Sequence, residues 1–161
     1  MNVITPEQFQ ALLPLACHWA EEQEPLILQQ GVHLTSAQVE DARQVDVANP
    51  ERVRLLRVEK IPLPDHPGLQ VAIQAAQFIS PYASAVTMRY GIFIRARWWD
   101  DRRLVVHELV HTAQYEKLGG LRPFLEQYLQ ECLTLGSANS PLEQTAVRAV
   151  AQLCGTFEWE E

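Results

Sequence analysis

Residues 100–120 decide the fold, and they read DDRRLVVHELVHTAQYEKLGG. Asp100 and Asp101 stand where acidic side chains favour the N-terminus of a helix. The pair Gly119-Gly120 is typical of a helix end. The spacing therefore predicts a long helix that runs to Lys117. Its apolar positions form one stripe that would face the core, namely Val106, Leu109, Val110 and Ala113.

Within this helix, residues 107–111 form an H-E-x-x-H motif. Histidines four residues apart lie about one turn apart on the same face, so the imidazoles of His107 and His111 can converge on one Zn²⁺. Glu108 lies about 100° further round the helix, from where its carboxylate can take a proton from a water molecule beside the metal. The alternative is an amphipathic helix on which both histidines are ordinary polar positions. Their placement about a glutamate in a capped helix favours the metal.

A catalytic zinc ion usually has three protein ligands and one open position, so the motif requires a third ligand. The remaining histidines and the downstream carboxylates supply the candidates, which are His18, His33, His66, Glu116, Glu126, Glu131, Glu143, Glu158, Glu160 and Glu161. Glu116 points off the metal face, and Glu126 and Glu131 lie on the polar side of the next helix. Glu143 can return beside the motif if its helix packs against the first. However, Ser140-x-x-Glu143 also matches a capping box, and the spacing alone fits a ligand and a cap equally well.

Residues 107–120, together with the segment Ser140-Pro141-Leu142-Glu143-Gln144-Thr145-Ala146, resemble the gluzincin metallopeptidases. The likeness is strongest to their small single-domain members, the minigluzincins, and to related bacterial domains, and it covers residues 84–150. It implies that His107, His111 and Glu143 bind the zinc ion and that Glu108 is the general base. It also implies that residues 90–94 form the sheet edge beside the cleft, where an extended substrate adds as a strand. Residues 1–80 carry no such resemblance.

Two positions depart from the gluzincin pattern. Relatives of the thermolysin type carry an acidic residue four positions after the ligand glutamate, where this chain has Val147. Many small relatives have an acidic residue where this chain has Thr145. The side chains that orient the metal-binding histidines must therefore come from elsewhere. The group that stabilises negative charge on a substrate carbonyl is equally open, and its candidates are Tyr82, Tyr90, Tyr115 and His66.

The rest of the chain predicts helices before and after a short region of strands. A capping box begins the first helix at Thr5, and Pro25 and Gly31 bracket a shorter segment. Further helices are predicted from 35 or 36 to about 45, over 69–78, from 123 to 136 and from 140 to 155.

Two segments have the composition of strands, namely residues 53–58 and 85–95, with Gly91 marking a turn or bulge in the second. We therefore predict an α+β fold with N-terminal helices, a small mixed or antiparallel sheet and a C-terminal helical block that carries the zinc site. Without repeats or a Gly/Ser-rich linker, residues 1–161 are predicted to form a single domain.

The composition argues against several classes of protein. The 161 residues carry 20 acidic and 13 basic side chains, and the net charge of −7 opposes binding to nucleic acid and to anionic membranes. Three widely spaced cysteines without a C-x-x-C pair favour neither a disulfide framework nor a thiolate zinc cluster. No apolar run reaches the ~18 residues of a membrane span, and no basic segment opens the chain. We therefore expect a cytoplasmic protein.

Two lesser features carry open alternatives. Five arginines precede or begin the motif helix, namely Arg89, Arg95, Arg97, Arg102 and Arg103. They form either a solvated face or a subsite for an acidic group of a substrate. Residues 156–161 are either a frayed end with an aromatic anchor or a segment that folds over the cleft and keeps it latent.

The motif and the resemblance predict a metallopeptidase with one zinc ion per chain and a peptide or protein as substrate. In this hypothesis Glu108 is the base for the hydrolysis of peptide bonds. The main alternative is a zinc-binding, structural or protein-interaction domain that retains the H-E-x-x-H helix without catalysis, and a metal-free helical interaction domain is a third hypothesis. An open metal position would favour the enzyme, whereas four protein ligands would favour the structural role. The oligomeric state stays open.

Overall fold

A computed structural model describes residues 4–75 and 83–155, in which helices surround a small four-stranded sheet. The helices are α1 (Pro6–Gln30), α2 (Ser36–Gln44), α3 (Pro67–Ala75), α4 (Arg102–Leu118), α5 (Leu121–Leu135) and α6 (Pro141–Cys154). The strands are β1 (Val32–His33), β2 (Arg54–Val58), β3 (Ala85–Met88) and β4 (Gly91–Arg95). The predicted α+β class is confirmed, and α4, α5 and α6 form the C-terminal helical block. None of the helices in the described residues is long and apolar enough to cross a membrane.

Local sequence signals account for most helix ends. The side chain of Thr5 caps α1, and that of Thr35 caps α2, each in a complete capping box with the glutamine three residues later. Asp101 accepts a hydrogen bond from the Leu104 amide at 3.1 Å and thereby caps α4. Gly119 ends α4 at a φ of 101°, a left-handed conformation that glycine adopts without a Cβ clash. The long motif helix therefore has the limits that its sequence predicts.

The first helix continues through Pro25, so the prediction of a separate segment from 25 to 31 is wrong. A proline inside a helix costs about 3 kcal/mol because it removes one hydrogen bond and crowds the preceding turn. Buried contacts on either side of Pro25 offset that cost. Glu24 binds the Arg89 side chain through two hydrogen bonds, of 2.9 and 2.6 Å, and Ile27 is fully buried against β4. Tertiary packing thus overrides the local preference for a break.

The sheet is mixed, and its strand order is β1-β2-β4-β3. β2 is parallel to β4, whereas β1 and β3 are antiparallel to their neighbours. β4 is therefore central, and the prediction that residues 90–94 form the sheet edge is wrong because β3 lies outside them. Gly91 is not at the turn either, since Arg89 makes the turn with a φ of 59°. Gly91 belongs to β4, where an added Cβ would lie only 2.8 Å from the Cβ of Ile27.

Two apolar clusters lie on the two faces of the sheet. The side chain of Phe93 belongs to one cluster, with residues of α1, α3 and α5. The neighbouring Ile92 and Ile94 belong to the other, with residues of α2, α4 and α6. This alternation explains why β4 is apolar along nearly its whole length, as strands covered on both faces are. The second cluster fixes the back of α4, so the opposite side of that helix faces the cleft beside β3.

Replacing Glu24 by Ala is expected to lower the free energy of unfolding by about 3 kcal/mol, because Arg89 and the Tyr90 amide both lose their buried carboxylate partner. Urea denaturation followed by circular dichroism measures this difference. The matched control is Glu22→Ala on the same helix, where an exposed pair with His18 is lost at a cost of at most about 0.5 kcal/mol. Equal stabilities for the two variants would contradict the role given to Glu24.

Candidate metal centre

His107 and His111 lie one turn apart on α4 with their ring centroids 5.0 Å from each other. The predicted apolar stripe behind them is buried, since Val106, Leu109, Val110 and Ala113 are each at most 5% exposed. The side chain of His107 is 22% exposed, whereas that of His111 is only 6% exposed. The motif helix therefore carries one accessible and one buried imidazole on the same face.

Glu143, in the first turn of α6, reaches both imidazoles. Its Oε2 lies 2.8 Å from Nε2 of His107, and its Oε1 lies 3.0 Å from Nε2 of His111. One ligand atom from each of these three residues lies within 4.8 Å of the other two. Two imidazole nitrogens and a carboxylate oxygen are a donor set that suits zinc and other borderline metals. The cluster of His107, His111 and Glu143 can therefore hold a metal ion.

Glu143 keeps its side chain for the cluster and uses only its backbone in the helix cap. The hydroxyl of Ser140 accepts a hydrogen bond from the Glu143 amide at 3.3 Å, which is one half of a capping box. The other half would need the Glu143 carboxylate on the Ser140 amide, but that amide donates to the carbonyl of Ser137 at 3.3 Å. The Ser140-x-x-Glu143 spacing therefore gives a helix cap at Ser140 and leaves the carboxylate of Glu143 available as a metal ligand.

The electrostatics of the cluster favour charged groups. Burial alone would raise the pKa of the Glu143 carboxyl, but the hydrogen bonds with His107 and His111 hold that pKa well below its usual range. For His111, burial acts in the opposite direction and would lower the pKa of the imidazole. However, the hydrogen bond with Glu143 and the charges of Glu108 and Glu143 raise that pKa above its usual value. Glu143 is therefore ionised near neutral pH, as a carboxylate ligand must be.

Glu108 is almost fully buried at the floor of the cleft and is held by a residue of β3. Its Oε2 accepts a hydrogen bond from the hydroxyl of Thr87 at 2.6 Å. The carbonyl of Thr87 in turn accepts a hydrogen bond from the hydroxyl of Tyr115 at 2.9 Å. The strand beside the motif helix thus fixes one oxygen of the Glu108 carboxylate. Sequence reasoning missed Thr87, which nothing distinguishes from an ordinary strand threonine.

Tyr128 on α5 is a second residue that sequence reasoning missed. Its hydroxyl donates a hydrogen bond of 2.5 Å to Oε1 of Glu143, and its ring packs edge-on against His111. Burial, and then the charge of Glu143, raise the pKa of Tyr128 far above its usual value, so the hydroxyl stays protonated and can donate. In the sequence, Tyr128 falls on the apolar face of its helix and reads as a core residue.

A cleft of about 410 Å³ opens beside the cluster. It is lined by Ala85 and Val86 of β3 and by Ser137 and Ala138 of the turn between α5 and α6. The side chains of Glu108, His111 and Glu143 border the same space. The cluster is therefore accessible to a ligand that enters between the edge strand and the turn.

The other carboxylate candidates have different partners. Glu116 accepts hydrogen bonds from the amides of Ala48 and Asn49 and from the hydroxyl of Tyr90. Glu131 accepts hydrogen bonds from the Ser140 hydroxyl and the Leu142 amide, and so holds the start of α6. Glu126 is exposed on α5, and the last three glutamates lie outside the described residues.

The candidates for stabilising a substrate carbonyl are also engaged elsewhere. The hydroxyl of Tyr90 donates to Glu116, and that of Tyr115 donates to Thr87. The Nδ1 atom of His66 accepts from the Leu69 amide at the start of α3. Tyr82 and the segment 156–161 lie outside the described residues. Among the described tyrosines, Tyr128 is the one whose hydroxyl contacts the metal-binding cluster.

The arginines named in the sequence are spread over several contacts rather than gathered in the cleft. Arg89 binds Glu24 behind the sheet, and Arg102 binds Asp41 of α2. Arg95 donates to the carbonyl of Glu59, and Arg103 donates to the carbonyl of Gly155 after α6. None of the five borders the cleft in the described residues. Four of the five arginines are thus held by contacts within the fold, and among the described residues they do not form a subsite at the cleft.

Comparison of the chain with protein-family models, curated proteins and solved structures gives no match.

Purified protein incubated with Zn²⁺ is expected to hold about one metal ion per chain by elemental mass spectrometry. Glu143→Ala should weaken the metal affinity by more than about 100-fold in a competition with a chromophoric chelator, because it removes one of three donors. The control is Glu126→Ala, which removes an exposed carboxylate from α5 and should leave the affinity unchanged. Equal affinities for the two variants would exclude Glu143 as a ligand.

Proposed function

We propose that the protein is a zinc-dependent peptide hydrolase of the gluzincin type. The observation that carries the proposal is the convergence of His107, His111 and Glu143 beside Glu108, which is held in place at the floor of an open cleft. Two histidines and a glutamate are the donor set of catalytic zinc sites that keep one position for water or substrate. The resemblance of residues 107–120 and 140–146 to gluzincins supports the same conclusion.

In this mechanism Glu108 is the general base. Zinc, when bound by such a donor set, supplies a Lewis acid that activates water and polarises a carbonyl group. The Glu108 carboxylate takes a proton from the attacking water and passes it to the nitrogen of the leaving amine. Thr87 supports this role because its hydroxyl fixes Oε2 of Glu108, which restricts the rotation of the carboxylate.

We expect the substrate to be an extended peptide that pairs with β3. Among the described residues, β3 pairs with β4 on one side only. The backbone amide of Arg95 in β4 donates a hydrogen bond to the carbonyl of Ser84. Because peptide groups alternate in direction along a strand, those of Ala85 and Thr87 point away from β4. The Thr87 carbonyl already accepts from Tyr115, which leaves Ala85 as the attachment point at the cleft.

Tyr128 is positioned to assist the reaction from the other wall of the cleft. Its protonated hydroxyl lies 2.5 Å from Oε1 of Glu143 and next to His111, so it is close to where a substrate carbonyl would meet the metal site. We propose that this hydroxyl shifts its one hydrogen bond from Glu143 to the carbonyl oxygen as negative charge develops there.

The non-catalytic alternative is less well supported. A structural zinc site usually has four protein ligands and is closed to solvent. The cluster found in the described residues has three members and borders a cleft. This arrangement favours a site that acts on a ligand over one that only joins helices.

The decisive test is Glu108→Gln in the zinc-loaded protein, assayed with a library of fluorogenic peptides. The amide keeps the shape of the carboxylate but cannot accept the proton, so turnover should fall by at least about 100-fold while one zinc ion per chain is retained. Glu126→Gln, on the exposed face of α5, is the control and should keep full activity. Hydrolysis by Glu108→Gln at the wild-type rate would overturn the assignment of the base.

Tyr128→Phe removes one hydroxyl without changing the ring that packs against His111. We expect kcat to fall about 100-fold with little change in KM, since the hydroxyl acts on charge that develops during the reaction. The zinc content should stay at one ion per chain. Unchanged kcat would show that Tyr128 only supports Glu143.

A further inference from the structure

Gln114 on α4 contacts both helices that carry the metal-binding cluster. It is 8% exposed, and its Oε1 lies 2.8 Å from Nδ1 of His111. Its Nε2 donates a hydrogen bond of 2.9 Å to the carbonyl of Leu142, the residue before Glu143. One side-chain amide thus joins a histidine of α4 to the first turn of α6.

The contact with Leu142 determines which way the amide of Gln114 faces. A backbone carbonyl can only accept a hydrogen bond, so the amide NH₂ group must lie on the side of Leu142. The amide oxygen then faces His111, and because that oxygen is only an acceptor, the Nδ1 atom of His111 must carry a proton. The coordinating atom of His111 is therefore Nε2, which is also the atom nearest Glu143.

The positions that carry acidic residues in many gluzincins do not contact the cluster here. Val147 is 59% exposed at the rim of the cleft, and the hydroxyl of Thr145 donates to the carbonyl of Pro141. Metal-binding histidines need a partner on their other ring nitrogen, which fixes the tautomer and the ring orientation. Gln114 supplies that partner for His111 from inside the motif helix.

We propose that Gln114 is a positioning residue that fixes the tautomer of His111 and sets the start of α6 against α4. His111 is thereby oriented for the metal by a neutral amide rather than by an acidic side chain. The proposal rests on the metal site of the proposed function but not on its peptidase activity.

The test compares Gln114→Met and Gln114→Glu with the wild type. Methionine has nearly the same length and no strong hydrogen-bonding group, so it removes both contacts. Glutamate keeps an acceptor for His111 but cannot donate to Leu142. The matched control is Gln152→Met, which changes an exposed glutamine on α6.

Two readouts are needed, and neither is the activity of the loaded enzyme. Zinc affinity is measured by competition with a chromophoric chelator, and the tautomer of His111 is read from ¹⁵N chemical shifts of the imidazole in the zinc-bound protein. We expect Gln114→Met to bind zinc 10–100-fold more weakly, a loss typical of removing such a partner. Its His111 should no longer be restricted to the form with a proton on Nδ1.

Gln114→Glu separates positioning from a purely structural role. If the acceptor for His111 is what matters, Gln114→Glu should keep the proton of His111 on Nδ1. It should also bind zinc at least about tenfold more tightly than Gln114→Met does. Equal affinity for Gln114→Met and the wild type, or identical behaviour of the Met and Glu variants, would overturn the proposal and leave the zinc site intact. A wild-type protein that binds no zinc would instead overturn the proposed function, and this inference with it.

Discussion

The structure of the site depends on a partly buried carboxylate, that of Glu143, placed between two imidazoles. A carboxylate loses much of its hydration on burial, and this cost is recovered only where donors or cations surround it. Here His107, His111 and Tyr128 all contact its two oxygens. The effect of the two histidines exceeds that of burial, since the pKa of Glu143 lies below its usual range. The first turn of α6, which carries Glu143, therefore packs against α4, and the cleft borders this contact.

The connection between α5 and α6 fixes the position at which the first turn of α6 meets α4. Gly136 ends α5 with a φ of 82°, which lets the chain reverse within a few residues. Glu131 then reaches forward from α5 and accepts hydrogen bonds from the Ser140 hydroxyl and the Leu142 amide. Gln114 holds the carbonyl of Leu142 from the opposite side. The residue before the ligand is thus fixed by both of its peptide groups, which leaves Glu143 little freedom apart from its side-chain torsions.

The sequence was sufficient for those parts of the site that follow from helical periodicity. Both histidines and Glu108 share a helix, so their relative positions depend only on a spacing of one and four residues. Thr87, Tyr128 and Gln114 could not be assigned in the same way. Thr87 and Tyr128 reach the site from other elements, and each has the composition of an ordinary strand or core position. Gln114 lies on α4, within the stretch 107–120 that resembles gluzincins, but its role depends on the carbonyl of Leu142, 28 residues further along the chain.

Two of the three errors in the predicted fold have the same origin. Local rules break the first helix at Pro25 and place a turn at Gly91, yet in the structure Ile27 and Gly91 pack directly against each other. Local rules correctly give Pro25 a cost inside a helix and Gly91 the freedom to form a turn. They do not include the contact between Ile27 and Gly91, which joins distant parts of the chain and outweighs both preferences. The third error came from the resemblance, which implied that residues 90–94 form the sheet edge, whereas residues 85–88 pair on the outer side of β4.

The metal ligands and the proposed general base are held by different parts of the fold. The metal ligands are held by contacts of α4, α5 and α6, whereas Glu108 is held from β3 through Thr87. In the proposed mode of binding, a peptide would pair with Ala85, which lies two residues before Thr87 on the same strand. Binding along β3 would then rigidify the strand that orients the base without displacing any contact of the metal ligands. A peptide that pairs with this edge would thus reinforce the geometry of Glu108, whereas a small ligand that reaches only the metal would not.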